Sequence, residues 1–328
     1  MKNGSFETFQ VAAMAVDPIH VGTGGARLGR VDNTIVRDPV TKVPKIPGSS
    51  VAGALRTYVA MHLETLRSDA RTKPYYPDCA GQGQQRRDGS GGHCGESSCK
   101  VCTVFGFARG ERGGFAGLAS FSDAHVLLFP VATREGPVWI TAPGALRQIE
   151  SLAGHEDVEE NTIHRKEAGT RPLNLGWLLL PVRKFNGFEE VTSALEALHV
   201  PQYIRDRLAI VSDKLFSHVV NSNLEVRTSV AINPATGAAE DGALFTYEAL
   251  PRSTILLWDT TCRNPAHFRI GRADVEAVKD AKKVYEVVEG GFPYLEALGI
   301  GGMGSRGLGR LRVLKNAAQG QDGAREGM

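Results

Sequence analysis

Apolar positions change period along the chain, and the changes mark its elements. Phe6–Val16 is apolar and predicts a first strand. Ser49–Leu66 carries Val51, Leu55, Tyr58, Val59 and Leu63 close to helical period, with Ser49 or Ser50 available as N-cap. Leu118–Val131 and Pro137–Thr141 predict strands, Pro143–Ser151 a short helix, and Trp177–Val182 a short buried strand. Val191–Leu198, Gln202–Ala209 and Asp213–Val220 predict helices. Glu225–Ile232 and Ala243–Glu248 alternate on either side of Asn233-Pro234-Ala235-Thr236-Gly237, a turn signal, and predict a long hairpin. Thr254–Thr261 predicts a strand. Ala273–Val288, with Val275, Val278, Val284 and Val287, predicts an amphipathic helix. The chain then turns glycine-rich and closes on a Leu-Arg-Leu-Arg-Val strand within Leu298–Leu314.

Three stretches lack such patterning. His20–Arg30 is a glycine-rich loop. Arg71–Ser98 is polar, glycine-rich and cysteine-bearing, an inserted excursion rather than core. Leu152–Arg171 is charged and weakly patterned. No internal repeat is visible, and Ala317–Met328 reads as a disordered tail.

At 328 residues the chain can bury a sizeable core, and 42% hydrophobic with 23% charged residues is ordinary for a globular protein. A net charge of +2 is not that of a non-specific nucleic-acid coat, so any such site must be a local patch. The N-terminal residues lack an apolar signal core and no run is long enough to span a bilayer, so no membrane partner and a cytoplasmic location are expected.

The five cysteines add a chemical signal, because Cys79, Cys94, Cys99 and Cys102 cluster and the last two form a CxxC. Four thiolates suit a closed, structural zinc site, with His93 able to replace Cys94 or Cys79; free cysteines are the alternative. Asp32 follows Gly22-Thr23-Gly24-Gly25 and precedes Ile46-Pro47-Gly48-Ser49-Ser50. Amides, hydroxyls and Arg56 at a helix N-terminus make a phosphate site, and a lone carboxylate beside it suggests chemistry on a nucleic-acid backbone. An Asp-Asn pair is otherwise a turn former, and His20 otherwise a packing residue. Arg27 and Arg30 of the same loop attract phosphate. Gly302-Met303-Gly304-Ser305-Arg306-Gly307 matches GxGxxG, but a strand and not a helix follows it, which excludes a dinucleotide site. Its glycines permit close approach of a backbone, with Arg306 available to phosphates.

Asp32-Asn33-x-Ile35-x-Arg37-Asp38-Pro39, followed by Ile46-Pro47-Gly48-Ser49-Ser50-x-x-Gly53-x-Leu55-Arg56, resembles the signature of the RAMP-superfamily backbone subunits of type III CRISPR–Cas effector complexes. Cys102-Thr103-Val104-Phe105-Gly106 and Gly301–Arg310 are similar to two further segments of that family. Phe121–Ala124, Leu128–Val131 and Leu244–Pro251 resemble its Cmr (type III-B) branch, and the cysteines its Csm branch. The family's lysine after the serine pair is replaced by Ala52, so that phosphate contact is either missing or moved to Lys45.

The resemblance implies an α+β fold with a ferredoxin-like, RRM-type βαββαβ palm. One domain would span 1–316, with a zinc-binding insertion at 71–104, a finger at 152–174 and a thumb hairpin at 225–251, then the tail 317–328. It implies crRNA, target RNA, further copies of the chain and other effector subunits as partners. Arg27, Lys45, Ser49, Ser50, Arg56, Gly302, Gly304 and Arg306 would contact guide phosphates. Asp32 would cut target RNA, with His20 and Glu248 as secondary candidates and Mg2+ or Mn2+ as the catalytic ion. A non-catalytic scaffold of the same kind is the alternative. A stand-alone RAMP ribonuclease acting on guide precursor is a third reading, although such enzymes lack the Asp32 motif.

Overall fold

The structure, a computed structural model, describes residues 4–24, 31–67, 73–81, 92–108, 114–240 and 244–314. Arg27, Arg30, residues 241–243 and the tail lie outside the described residues. The chain divides into two compact units: residues 1–11, 46–124 and 258–300, and residues 12–45, 125–257 and 301–328.

The elements, in chain order, open with strand β1 (Phe6–Ala15), β2 (Lys45–Ile46) and helices α1 (Gly48–Thr65) and α2 (Lys100–Phe105). Strands β3 (Ala119–Phe121), β4 (Ala124–Thr133) and β5 (Gly136–Thr141) follow, then helix α3 (Pro143–Leu146). Next come β6 (Ile163–Arg165), β7 (Leu173–Leu175), β8 (Leu178–Leu180), β9 (Val182–Lys184), helices α4 (Phe188–Ala197) and α5 (Gln202–Arg205), β10 (Leu208–Ile210) and α6 (Asp213–Ser222). The last part holds β11 (Glu225–Ser229), β12 (Phe245–Ala249), β13 (Ile255–Arg263), β14 (Arg269–Ile270), β15 (Ala273–Asp274), α7 (Ala281–Glu289), α8 (Phe292–Leu298) and β16 (Leu311–Val313).

The strands of the main sheet run β16-β1-β13-β4-β5-β10-β6-β9. Taking β1, β4, β13 and β16 as first to fourth, with α1 after the first and α7–α8 after the third, the chain order is β-α-β-β-α-β and the sheet order 4-1-3-2. That is the ferredoxin-like arrangement. The sheet continues past β4, and β10 runs parallel to β5 with Leu208 opposite Trp139. Leu127, Leu128, Trp139, Leu208, Ile210, Ile255 and Leu257 pack with Leu146, Phe188, Val191, Leu195 and Ile204 in one core. Each large aliphatic side chain buried there contributes about 1.5–3 kcal/mol.

The first unit is centred on α1, whose Val51, Leu55 and Val59 recur at four-residue spacing and are buried. Pro47 ends the preceding chain, and Gly48 starts the helix where any side chain would strike the Phe121 and Ser122 carbonyls. Val59 and Leu55 also approach Gly291, where a Cβ would sit 3.1 and 3.2 Å from their methyls.

Five sequence expectations are corrected. Neither Ser49 nor Ser50 caps α1: Pro47 is the N-cap, and the Asp123 carboxylate accepts the Gly48 N–H at 2.8 Å. Gln202–Ala209 is helical only to Arg205, because Leu208, Ala209 and Ile210 are drawn into the sheet and wholly buried. Ala273–Val288 is helical only from Ala281: Ala273 and Asp274 pair with β14, and Asp280 caps the helix through Lys283 N. The valine period across 275–288 therefore spanned two structures. Trp177 and Leu179 are 78% and 63% exposed, on a β7–β8 hairpin rather than a buried strand. The cysteine excursion does form core, since Tyr75, Cys79, Ala80, Cys99 and Cys102 pack with Val59, Ala60, Phe107 and Ile270.

Candidate active site and candidate metal centre

The predicted hairpin is present, with β11 and β12 antiparallel from Glu225 opposite Ala249 to Ser229 opposite Phe245. Alternation gives β12 two working faces. Tyr247 and Ala249 pack with Leu308, Phe245 and Met303. Thr246 and Glu248 are bonded by the segment 32–37.

Asp32 is exposed, and its Oδ2 accepts from Thr246 N at 2.7 Å and from Thr246 Oγ1 at 2.9 Å. The Thr246 hydroxyl in turn accepts from Asp32 N at 3.1 Å. Asn33 N donates to Thr246 O and Glu248 N to Asn33 O, each at 3.0 Å. The Thr246 backbone N–H, then its hydroxyl, hold the Asp32 carboxyl below its ordinary 3.8. Asp32 is thus an ionised carboxylate fixed to the hairpin and open to solvent.

Glu248 is differently placed. Its Oε2 meets Arg37 Nη2 at 2.8 Å, and the two side chains are 14% and 23% exposed. Arg37 also donates to Asn221 Oδ1 at 2.8 Å and to Ile35 O at 3.0 Å. His20 is buried, its Nδ1 lies 2.6 Å from Glu248 O, and its own carbonyl accepts from Gly302 N at 2.9 Å. With a carbonyl as partner, Nδ1 must be the protonated nitrogen, which fixes the tautomer. Gly301 has φ +90° and passes so close to His20 O that no side chain fits there.

Of the expected phosphate contacts, Lys45 Nζ is 3.7 Å from Asp38 Oδ2. Ser49 is exposed in the first turn of α1, and Ser50 is half-buried. Gly302, Gly304 and Arg306 are exposed, with Arg306 donating to Ser229 Oγ at 2.8 Å and lying 5.5 Å from the Phe245 ring centre. Thr246, Arg37 and Asn221 carry no local sequence signal as anchors. Strand alternation in Phe245–Ala249 could have paired Thr246 with Glu248, but their partners lie 211 to 214 residues away.

In the other unit, Cys79, Cys94, Cys99 and Cys102 bring their sulfurs within 4.8 Å of one another. Cys94 Sγ is 3.7 Å from Cys102 Sγ, and Cys99 Sγ is 3.9 Å from Cys79 Sγ. A tetrahedral metal with bonds to sulfur of about 2.3 Å sets its sulfurs about 3.8 Å apart, so this donor set fits one. Cys99 also accepts from Cys102 N at 3.5 Å, using the start of α2 to orient its sulfur. His93 is not among the four converging groups: its Nδ1 meets Arg56 Nη2 at 2.8 Å. Burial, and then the Arg56 charge, push His93 down to about 4. Arg56 Nε donates to Cys79 O at 2.8 Å.

Among relatives, the CRISPR system Cmr endoribonuclease Cmr4 of Pyrococcus furiosus is 25% identical over 266 residues, 76% of this chain and 79% of that one. The CRISPR system Cms endoribonuclease Csm3 of Methanothermobacter thermautotrophicus is 33% identical over 159 residues, 48% of this chain and 56% of the relative. Among solved structures, a chain of the type III-B Cmr-beta complex bound to cognate target RNA aligns with a TM-score of 0.62 at 16% identity. That alignment covers 95% of this chain and 99% of the other. Crystalline oligomeric Cmr4 from Pyrococcus furiosus aligns at 0.57 and 20% identity, over 94% and 98%. Among the described residues no helix is long and apolar enough to cross a membrane. The sequence model of the RAMP superfamily matches residues 13–312, and the chain belongs to that superfamily.

Proposed function

We propose that the chain is a backbone subunit of a type III CRISPR effector complex, binding crRNA and cleaving complementary target RNA at Asp32. The observation that carries this reading is the exposed, ionised Asp32 carboxylate clamped by Thr246 to the β11–β12 hairpin. The endoribonuclease names of the relatives support it. Cleavage in line requires the 2′-hydroxyl oxygen, the phosphorus and the departing 5′ oxygen to be collinear. A hairpin wedged into the guide–target duplex would splay the target strand into that alignment. Asp32 would accept the 2′-hydroxyl proton while the 2′ oxygen bonds phosphorus and the 5′ oxygen leaves, taking a proton from water.

Glu248 and His20 act here as positioning residues. Arg37 neutralises the first, and the second is tied by Nδ1 to the β12 backbone. Among the described residues the only cluster of three or more metal-ligating side chains is that of the cysteines. Asp32 would therefore give a Mg2+ or Mn2+ ion one ligand, with RNA phosphate oxygens and water giving the rest. Such an ion would polarise the scissile phosphate. The cysteine cluster would hold a structural Zn2+, since four sulfurs leave no open position. Lys45, Ser49, Ser50 and the Gly302–Arg306 loop would take guide phosphates, leaving sequence choice to base pairing.

The test is guide-directed cleavage of target RNA by complexes carrying Asp32→Ala. Cleavage should fall by about 100-fold or more, the range of a lost acid–base group. Unchanged cutting with intact binding would leave the scaffold role alone.

A further inference from the structure

Arg56 sits on α1 where the sequence places it beside a phosphate-binding turn, yet its hydrogen bonds run the other way. Nε holds the Cys79 carbonyl and Nη2 holds His93, the residue before Cys94. The side chain is half-buried. No carboxylate among the described residues forms an ion pair with it. A guanidinium held partly out of water by its bonds to Cys79 O and His93 is stabilised by an anion that faces it. Four neutral thiols carry no charge, whereas four thiolates around a divalent metal carry a net charge of two minus.

We propose that Arg56 is the counter-charge and clamp of the cysteine metal centre, fastening the loops that carry Cys79 and Cys94 to α1, rather than a guide-phosphate contact. This rests on the reading that the four cysteines bind zinc. The guanidinium fork suits the task because two of its edges are used at once. Nε fixes the backbone that presents Cys79, and Nη2 fixes the residue that precedes Cys94. A lysine would keep the charge but could not make both bonds in that geometry.

The experiment uses the full chain purified with its native metal. Zinc content is measured first, and release to excess EDTA is then followed for wild type, Arg56→Lys and Arg56→Gln, with guide-RNA affinity measured on the same zinc-loaded samples. Loss of a residue that supports metal ligands typically weakens metal binding 10–100-fold. Arg56→Gln should therefore release zinc about 10-fold faster or more, Arg56→Lys by a smaller factor, and guide affinity should stay within about twofold. If Arg56→Gln does not fold, Arg56→Lys carries the test, and wild-type release from it overturns the proposal. Unchanged zinc release with weakened guide binding would return Arg56 to the RNA. A wild-type chain that folds without zinc would overturn the metal reading itself, and the proposal with it.

Discussion

Cys79, Cys99 and Cys102 have no solvent exposure and converge with Cys94. Asp32 stands exposed on a segment bonded to β12 at Thr246 and Glu248 and to Val21 and Thr23 through Val36 and Thr34. The first region is a closed donor set, so its chemistry ends in holding the fold together. The second leaves its carboxylate open and ionised while Arg37, Glu248 and His20 fix the backbone beneath it. The lesson is that satisfied groups hold and unsatisfied ones react: a charge fully surrounded by ligands or ion partners has nothing left to offer a substrate.

The largest effect should come from the closed region. Cys102→Ser should abolish stoichiometric zinc and lower the thermal midpoint by about 10 °C or more, because metal-binding energy at such a site is folding energy. Calorimetry with zinc analysis checks this, and an unchanged midpoint would make the cluster dispensable. Next, Arg37→Ala strips the partner from a half-buried carboxylate. A fully buried pair broken in this way costs about 3–5 kcal/mol, and partial exposure reduces that to about 1–2 kcal/mol. Denaturant unfolding should show that loss with zinc content unchanged, and Glu248→Gln in the same background should restore part of it.

Thr246→Val should have the smallest effect. The Thr246 backbone N–H, the main cause of the lowered Asp32 pKa, remains, and only the two bonds of the hydroxyl, to Asp32 Oδ2 and from Asp32 N, are lost. Stability should stay within about 0.5 kcal/mol and cleavage should fall a few-fold. The sign of the wild-type pH dependence follows from the same bond. A depressed folded pKa keeps the carboxylate charged at every pH above the ordinary 3.8, and the charge is lost only as pH falls through a still lower value. Rate profiles from pH 7 down to about 5 should therefore show no step from Asp32, and Thr246→Val should not introduce one.

Much of this was legible in sequence because it is local. The CxxC spacing, the Asn233–Gly237 turn and the alternation of β12 are short-range signals, and all appear in the structure. What failed depends on distant partners. The first N–H of α1 is taken by Asp123, 75 residues away, and not by a serine. Leu208–Ile210 leaves its helical pattern because a slot beside β5 buries it completely. Arg56 shows the phosphate pattern in one dimension and faces the cysteines in three. Glu248 looks like a spare carboxylate until Arg37, 211 residues before it, is seen to neutralise it.

The central claim is that the open carboxylate, and not the scaffold around it, does the cutting. Asp32→Asn tests it most directly, because the amide oxygen can still accept from Thr246 while the charge is gone. Reconstituted complexes carrying it should bind guide and target RNA as wild type does, unfold at the same temperature, and cleave about 100-fold more slowly or worse. Wild-type cleavage by Asp32→Asn would contradict the account and place the chemistry elsewhere.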